Sequence, residues 1–440
     1  MKTFNLQQKR RDFLKASAAI AGSTMLSQIP LMGHSSVDDT IKIALVGCGG
    51  RGTGAASQAL STKFNVKLVA MADAFQDAVD KCYQDLSEKF KDKVAVSDDH
   101  KFVGFDAYKQ AIALADVVIL ATSPGFRPTH FEEAIKQNKH VFMEKPVAVD
   151  SPGIRKVLKV AEEAKAKKLN VVVGLQRRYQ KNYRETIKRI QDGEIGDIVS
   201  GQVYWNSGGV WVRERKPEQT EMEYQMRNWY YFNWLCGDHI VEQHVHNIDI
   251  ANWVKGGPPV SIQGTGSRAW RNGKEYGEIY DNHSIELTYA DGSVIYSQCR
   301  HFEGIQNRVD ETFQGTKGRV YLSAGNVGRL WDHQGKLLFN HPTKGQANPY
   351  QTEHDELFET ISQGAYKHWD ADYGATSTLT GIIGRYATYS GETIKWEDAL
   401  NANNSLMPET LSWDAKPKVL PNDEGLYAYA QPGIFKWDQA

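Results

Sequence analysis

The chain has 440 residues, 41% hydrophobic and 24% charged, ordinary globular usage that argues against disordered, collagen-like and coiled-coil classes and leaves room for two to three domains. Lysine plus arginine number 52 against 53 aspartate plus glutamate, a net charge of -1, so no overall field favours a polyanion and nucleic acid is not expected as a partner. The aromatic share of 11% fits either a ligand surface or an aromatic core.

At the amino terminus Lys9, Arg10, Arg11, Asp12, Phe13, Leu14 and Lys15 put a twin arginine ahead of a weakly apolar stretch, residues 16–32, that has no acidic residue. This order reads as a twin-arginine export signal, so residues 1–36 are set aside from fold reasoning and the mature protein is expected outside the bacterial cytoplasm. Export by this route carries folded, loaded proteins, which predicts a tightly held cofactor. No later stretch has the roughly 18 uninterrupted apolar residues of a membrane span, so stable membrane insertion is not expected. The four cysteines, Cys48, Cys82, Cys236 and Cys299, are scattered without a CxxC, and they indicate neither a metal knuckle nor a disulfide framework.

From residue 41 short apolar runs alternate with helical stretches, the pattern of a parallel sheet with covering helices. Strands are predicted at 41–46, 66–72, 94–97, 117–121, 140–143 and 171–175, with helices at 53–60, 129–137 and 152–168 among them. The expected fold class is α/β: a doubly wound Rossmann domain over 41–176, then an α+β domain with an open, mainly antiparallel sheet over 177–400. In that second domain strands are predicted at 199–205, 262–266, 284–289, 294–299 and 319–322, with an Asp291-Gly292 turn between two of them. One long helix is predicted over 238–254, and others over 354–363 and 375–390. Residues 401–440, rich in Pro, Asn and Asp, are expected to wrap the surface as a tail.

Gly47, Cys48, Gly49, Gly50, Arg51 and Gly52 form G-x-G-x-x-G between the first strand and a helix. In that context the glycines permit a tight turn and let backbone N–H groups and the helix N-terminus approach a pyrophosphate. Asp73, at the end of the second strand, can accept hydrogen bonds from a ribose diol and would repel a 2'-phosphate, which favours NAD over NADP. At the end of the fifth strand stand Glu144, Lys145 and Pro146; a lysine there can stabilise a developing alkoxide or move a proton to it.

With the 121–130, 139–146 (K-H-V-F-M-E-K-P) and 174–179 (G-L-Q-R-R-Y) segments, this combination resembles the Gfo/Idh/MocA family of nicotinamide-dependent oxidoreductases over about residues 41–389. The resemblance implies a catalytic Lys145 and cofactor contacts from Thr122, Ser123, Pro124 and His130. It extends those contacts to Glu144, Lys145, Pro146 and Arg178, and it implies pairing into dimers or tetramers. The family's D-x-x-x-H constellation appears altered, with Glu242 and His246 at its two positions. On one continuous helix Asp238, Glu242, His246 and Asp249 would form a single polar stripe. His246 is given the proton-transfer role, and a metal held by His244 and His246 is disfavoured because the two diverge on a helix, so no metal is expected.

Trp211, Arg213 and Tyr230, in an aromatic cluster before this helix, suit a sugar's apolar face and hydroxyls, though core packing accounts for such rings as well. With Lys145, His246 and Asp249 they make up the expected substrate site. The leading expectation is an exported NAD-linked enzyme acting on a secondary hydroxyl of a sugar, glycoside or cyclitol. A redox-neutral glycosidase running oxidation, elimination, hydration and reduction is the alternative, and a catalytically silent sugar-binding protein the third.

Overall fold

The structure, a computed structural model, describes residues 39–438. The twin-arginine segment lies outside the described residues. Among them no helix is long and apolar enough to cross a membrane.

The first sheet has six parallel strands: β1 (Ile41–Val46), β2 (Val66–Asp73), β3 (Lys101–Val103), β4 (Val117–Leu120), β5 (His140–Met143) and β6 (Val171–Val173). Their order is β3-β2-β1-β4-β5-β6, the doubly wound arrangement whose strand order reverses between β1 and β4. The strands are short apolar runs because both faces are covered, and Ile43 to Val46 and all four residues of β4 are buried. One face carries α1 (Gly50–Leu60) and α2 (Gln76–Phe90), which turn small or periodic apolar residues inward: Ala55, Ala56, Ala59 and Leu60 from the first, Val79, Cys82 and Leu86 from the second. The other carries α3 (Ala107–Ala113), α4 (Arg127–Lys136) and α5 (Ser151–Ala166).

After α6 (Lys181–Gln191) the chain enters a nine-stranded, mainly antiparallel sheet opened by β7 (Ile198–Ser207). Three helical pieces follow that matter for the site: α7 (Glu221–Arg227), α8 (Asn233–Cys236) and α9 (His239–Glu242), then α10 (Val245–Lys255). The sheet continues with β8 (Ser261–Ser267), β9 (Asn282–Thr288), β10 (Val294–His301), β11 (Arg308–Gly315), β12 (Gly318–Ser323), β13 (Val327–Asp332) and β14 (Leu337–Asn340). The order is β14-β13-β12-β11-β7-β10-β9-β8-β15, where β15 is Ile394–Lys395, and β7 with β10 is its one parallel pair among the described residues. Gly292, at φ +82°, makes the β9–β10 turn. Alternation along β9 and β10 buries His283, Ile285 and Leu287, and Ile295, Ser297, Cys299 and His301, on one face.

Two late helices return to the first sheet's territory. Helix α11 (Pro349–Ser362) packs on α1 and on the 3-10 turn Gln176–Tyr179, and α12 (Ala371–Ser390), buried nearly all round, lies against β8 and β9 on one side and α5 on another. Past α13 (Trp396–Asn401) the chain crosses back in extended form, anchored where Arg155 donates to the carbonyls of Leu400 and Ala402 and where Leu406 N–H donates to Asp150.

Two predicted elements are corrected and three strands are added. Residues 94–97 form no strand: Val94 makes an isolated bridge to Leu68, and the third strand is β3, whose residues are only half-buried and so lack the expected apolar signature. Strands β11, β13 and β14 were not anticipated: β11 is mostly polar, β13 mixes apolar residues with Gly328 and Arg329, and β14 has only four residues. The long helix over 238–254 is broken, because Asp238 sits at φ +76°, ψ 159° and the chain turns again at Gln243 and His244 before α10 begins.

Candidate active site

The loop after β1 is built around contacts that only glycine permits. Gly47 has φ +100°, and a Cβ there would stand 2.4 Å from Thr122 N; at Gly52 it would stand 1.9 Å from Gly47 O. Gly49 and Gly50 differ: a Cβ on either meets nothing within 4 Å. Gly49 is the N-cap of α1, no side chain caps that helix, and Gly49 lines a cleft of about 880 Å³. An open space facing uncapped first-turn N–H groups is the cradle a pyrophosphate requires, and the residues present fit the group.

Asp73 closes the next strand end. Its carboxylate accepts from Cys48 N–H at 2.7 Å and Phe75 N–H at 3.0 Å while lining the same cleft, and burial raises its pKa. Thr122 and Ser123 line the cleft beyond β4, with Thr122 Oγ1 at 3.2 Å from His130 Nδ1. Burial, then the neighbouring Arg127, push His130 down to about 3, so it is neutral. Pro124 is buried at the start of a 3-10 turn, Pro124–Phe126, and shapes this wall without facing the cleft.

Glu144 and Arg51 hold one another, Arg51 Nε donating to Glu144 Oε1 at 2.5 Å. The Glu144 carboxylate is pressed against Gly174, where any Cβ would lie 2.8 Å from it. A second carboxylate, Glu353 of α11, stands 3.5 Å from Arg51, and Tyr350 lies under the guanidinium. Burial and the proximity of Glu144 raise Glu353 well above the usual carboxylate range. Neither residue was anticipated: they lie some 300 positions from Arg51, and no local pattern announces them.

Lys145, joined to Pro146 by a cis peptide, reaches across to the second part of the chain. Its Nζ donates to Glu242 O at 2.5 Å and to Glu242 Oε1 at 2.9 Å, and both side chains are about nine-tenths buried. His246 stacks on Trp205 at 5.7 Å, and its Nδ1 is buried without a partner. Burial first, then the cations Lys145, Arg177 and Arg51, hold His246 well below the usual imidazole range. Lys145, Glu242 and His246 thus share one polar locus. His244, by contrast, points to Ser297 Oγ at 2.6 Å.

The expected stripe is revised at both ends. Asp238 faces the opposite way, into the core against Tyr280 and Tyr389, since its backbone is not helical. Asp249 and Arg178, expected at substrate and cofactor, form a bidentate pair with two bonds of 2.8 Å. Asp249 also accepts from Ser377 and is 1% exposed, so it presents nothing to a substrate.

The cleft's other wall comes from the second part of the chain. Residues 212–217, Arg213 among them, run along it, as do Arg227 and Trp229. Arg227 spans it, donating to Asp77 of α2 at 2.7 Å and lying 3.8 Å over the Phe75 ring. Trp413, from the returning tail, packs at a tilt against Phe75 and Phe105, ring centroids 5.1 and 4.7 Å away, behind the cleft lining. Trp211 packs on Trp229 and Tyr230 with Arg213 above it, and the Tyr230 hydroxyl is buried without a partner.

Known proteins agree with this construction. Residues 41–174 match the model for the oxidoreductase family with an NAD-binding Rossmann fold, and residues 183–321 match the GFO/IDH/MocA C-terminal domain. Inositol 2-dehydrogenase of Rhizobium meliloti (strain 1021) is 28% identical over 285 residues, covering 64% of this chain and 75% of that protein. Among solved structures, aldose-aldose oxidoreductase from Caulobacter crescentus, complexed with glycerol, superposes with a TM-score of 0.63 at 19% identity over 81% of this chain and 99% of that one. Scyllo-inositol dehydrogenase from Lactobacillus casei, with bound NAD(H) and scyllo-inositol, gives 0.61 at 19% over 81% and 99%. The two family matches, the dinucleotide cradle and Lys145 at the end of β5 together place this chain in the Gfo/Idh/MocA family, as a dehydrogenase-type enzyme whose cofactor is NAD.

Proposed function

We propose that the protein oxidises a secondary hydroxyl of a sugar, glycoside or cyclitol. The observation that carries this reading is the meeting of Lys145, from the end of β5, with Glu242 and His246, beside strand β4 whose following residues line the dinucleotide cleft. Bound NAD supplies the hydride acceptor. An ammonium has three donors, and Lys145 spends two on Glu242, which leaves one for a substrate oxygen as negative charge develops there. His246, kept unprotonated by burial and by Lys145, has a free Nδ1 lone pair or N–H with which to exchange the hydroxyl proton. Glu242 positions Lys145, and Trp211 and Arg213 offer a ring face and donors to a polyol, whereas Tyr230, expected at the substrate, is 1% exposed and packs in the core behind Trp211. The inositol and aldose chemistry named for the relatives supports the same substrate class.

The roof over the cleft supports a tightly held cofactor, because the Arg227–Asp77 bridge spans it. An exported enzyme with retained NAD must pass the hydride on to a carbonyl, either of a second substrate or of a later intermediate of the first, to return the cofactor to its oxidised form. Homo-oligomer formation fits the face of the second sheet that carries Tyr204, Tyr296 and Arg308. The test is to purify the mature protein from an exported fraction, read its absorbance for bound reduced nicotinamide, and screen polyols and glycosides. Net reduction of cofactor by a polyol supports the proposal. Aglycone release without net cofactor change redirects it to a glycosidase, and no response to any polyol or glycoside refutes it.

A further inference from the structure

Behind α9, away from the dinucleotide cleft, the core holds a second set of chemistry-bearing side chains. Asp238, His239 and His283 bring one ligand-type atom each to within 4.8 Å of one another, and all three are fully buried. Asp238 Oδ1 lies 2.9 Å from His239 Nδ1 and 3.3 Å from His283 Nε2. Asp238 occupies a backbone region, φ +76° and ψ 159°, that is essentially reserved for glycine and costs on the order of 1–3 kcal/mol elsewhere. His301 lies face to face with His239 at 4.3 Å, and the Cys299 thiol is within hydrogen-bonding reach of the same ring.

The hydrogen-bond polarity around His283 leaves a gap. Thr388 Oγ1 lies 2.8 Å from His283 Nδ1 and 3.1 and 3.0 Å from the Gly384 and Arg385 carbonyls. With the hydroxyl proton on one of those carbonyls, the ring's proton sits on Nδ1 and the Nε2 lone pair faces the Asp238 carboxylate oxygen. Two acceptors 3.3 Å apart in a dry core repel unless positive charge lies between them. His239 Nε2 and His283 Nε2 are both buried without a hydrogen-bond partner.

We propose that Asp238, His239 and His283 bind a structural divalent transition-metal ion, zinc by ligand type. Carboxylate and imidazole donors suit zinc, and ligand atoms sharing one tetrahedral zinc at roughly 2.0–2.2 Å stand about 3.3 Å apart, close to the Asp238–His283 separation. The ion replaces the proton that His239 Nδ1 shares with Asp238, and it satisfies the His283 lone pair at the same time. The three protein atoms leave the fourth tetrahedral position to a water, and full burial, which bars a substrate from that position, assigns the ion a structural role. It ties the start of α9 to β9, and so fixes the turn three residues ahead of Glu242. The sequence alone gave no reason to expect a metal, because the ligands are 45 positions apart and lack a recognisable spacing.

The test uses the full-length, untagged protein, with metals measured by plasma mass spectrometry as purified and after unfolding in guanidinium and refolding with or without zinc. About one equivalent of zinc per chain in the wild type is expected, with at least a roughly tenfold fall in His283→Gln. His341→Gln, which alters a buried histidine bonded to Glu185 elsewhere, should keep the wild-type content. Refolding with zinc should also raise the wild-type Tm above that of the chelated protein, a readout independent of whether any variant folds. Wild-type protein holding under about a tenth of an equivalent in both preparations, with no zinc-dependent Tm, overturns the proposal. Undiminished zinc in folded His283→Gln overturns it as well.

Discussion

The floor and the roof of the dinucleotide cleft are made in different ways. The floor is backbone: Gly47, Gly49 and Gly52, uncapped N–H groups of α1 and the strand end at Asp73, all within 27 residues of chain. The roof is side chain, assembled from Arg227 and Trp229, with Trp413 packed behind the lining rings Phe75 and Phe105 from nearly two hundred positions further on. A backbone site needs particular residues at particular spacings because sterics dictate them, whereas a side-chain site needs only that something of suitable shape arrives. Substitutions in the floor should therefore act nearly all-or-none, and substitutions in the roof by degrees.

The largest effect is expected where floor and roof domains meet at the chemistry. Lys145→Ala or His246→Ala should lower kcat by roughly 10² to 10⁴, with a much smaller change in substrate affinity, while His244→Ala, whose ring bonds to Ser297, should be milder. Steady-state kinetics on any accepted polyol check this, and near-normal turnover in Lys145→Ala removes it from the mechanism. Next come two glycines that separate ligand space from protein space. Gly49→Val fills the open cradle and should abolish cofactor retention with Tm nearly unchanged, whereas Gly47→Val collides with Thr122 and should lower both. Equal Tm losses in the two variants would erase the distinction.

Asp73→Ala should narrow the preference for NAD over NADP by removing the repulsion of a 2'-phosphate, read as the ratio of Kd values. The accompanying loss of its bonds to Cys48 and Phe75 N–H should loosen the loop for both cofactors alike. In the roof, Arg227→Ala should speed NAD release only about two- to fivefold, because its bridge to Asp77 is partly exposed and its stack on Phe75 is worth about 0.5–1 kcal/mol. Stopped-flow displacement measures this; a hundredfold change would mean that the roof, not the floor, dominates retention.

The smallest effect is on acid stability. His354 is fully buried against Phe142, and burial followed by Arg51 holds its pKa well below the ordinary value. The unfolded chain binds a proton there below about pH 6.5 that the folded chain refuses, so this group subtracts stability as pH falls, at up to about 1.4 kcal/mol per pH unit. His354→Phe should flatten the wild-type loss of stability below that pH, measured by denaturant titration at several pH values.

These contrasts explain what could be read from the chain before its structure. Five of the six Rossmann strands, the glycine loop and the Glu144-Lys145-Pro146 turn were legible because each is a local pattern with a steric cause; β3, short and without a buried residue, was not. Resemblance marked Glu242 and His246 as a pair of positions, but the contact of Glu242 with Lys145 is visible only in the structure. Asp238 was misplaced because helical periodicity assumes helical φ and ψ throughout, and nothing in the residue names reveals a positive φ held by Tyr280, Tyr389 and His239. Arg178 and Asp249 were assigned to ligands because a charged residue carries no mark of the partner that will neutralise it. Glu353, Arg227 and Trp413 reach the site only through tertiary packing.

The position of Trp413 bears on how the protein is made. Synthesis runs from the amino terminus, so the glycine loop and Asp73 emerge more than three hundred residues before the tryptophan that covers Phe75. A nascent chain can shape the cradle early yet cannot seal it until its last thirty residues have left the ribosome. Truncation between residues 402 and 412, past the last strand and helix, should therefore leave both sheets complete while removing the ring that packs on Phe75 and Phe105.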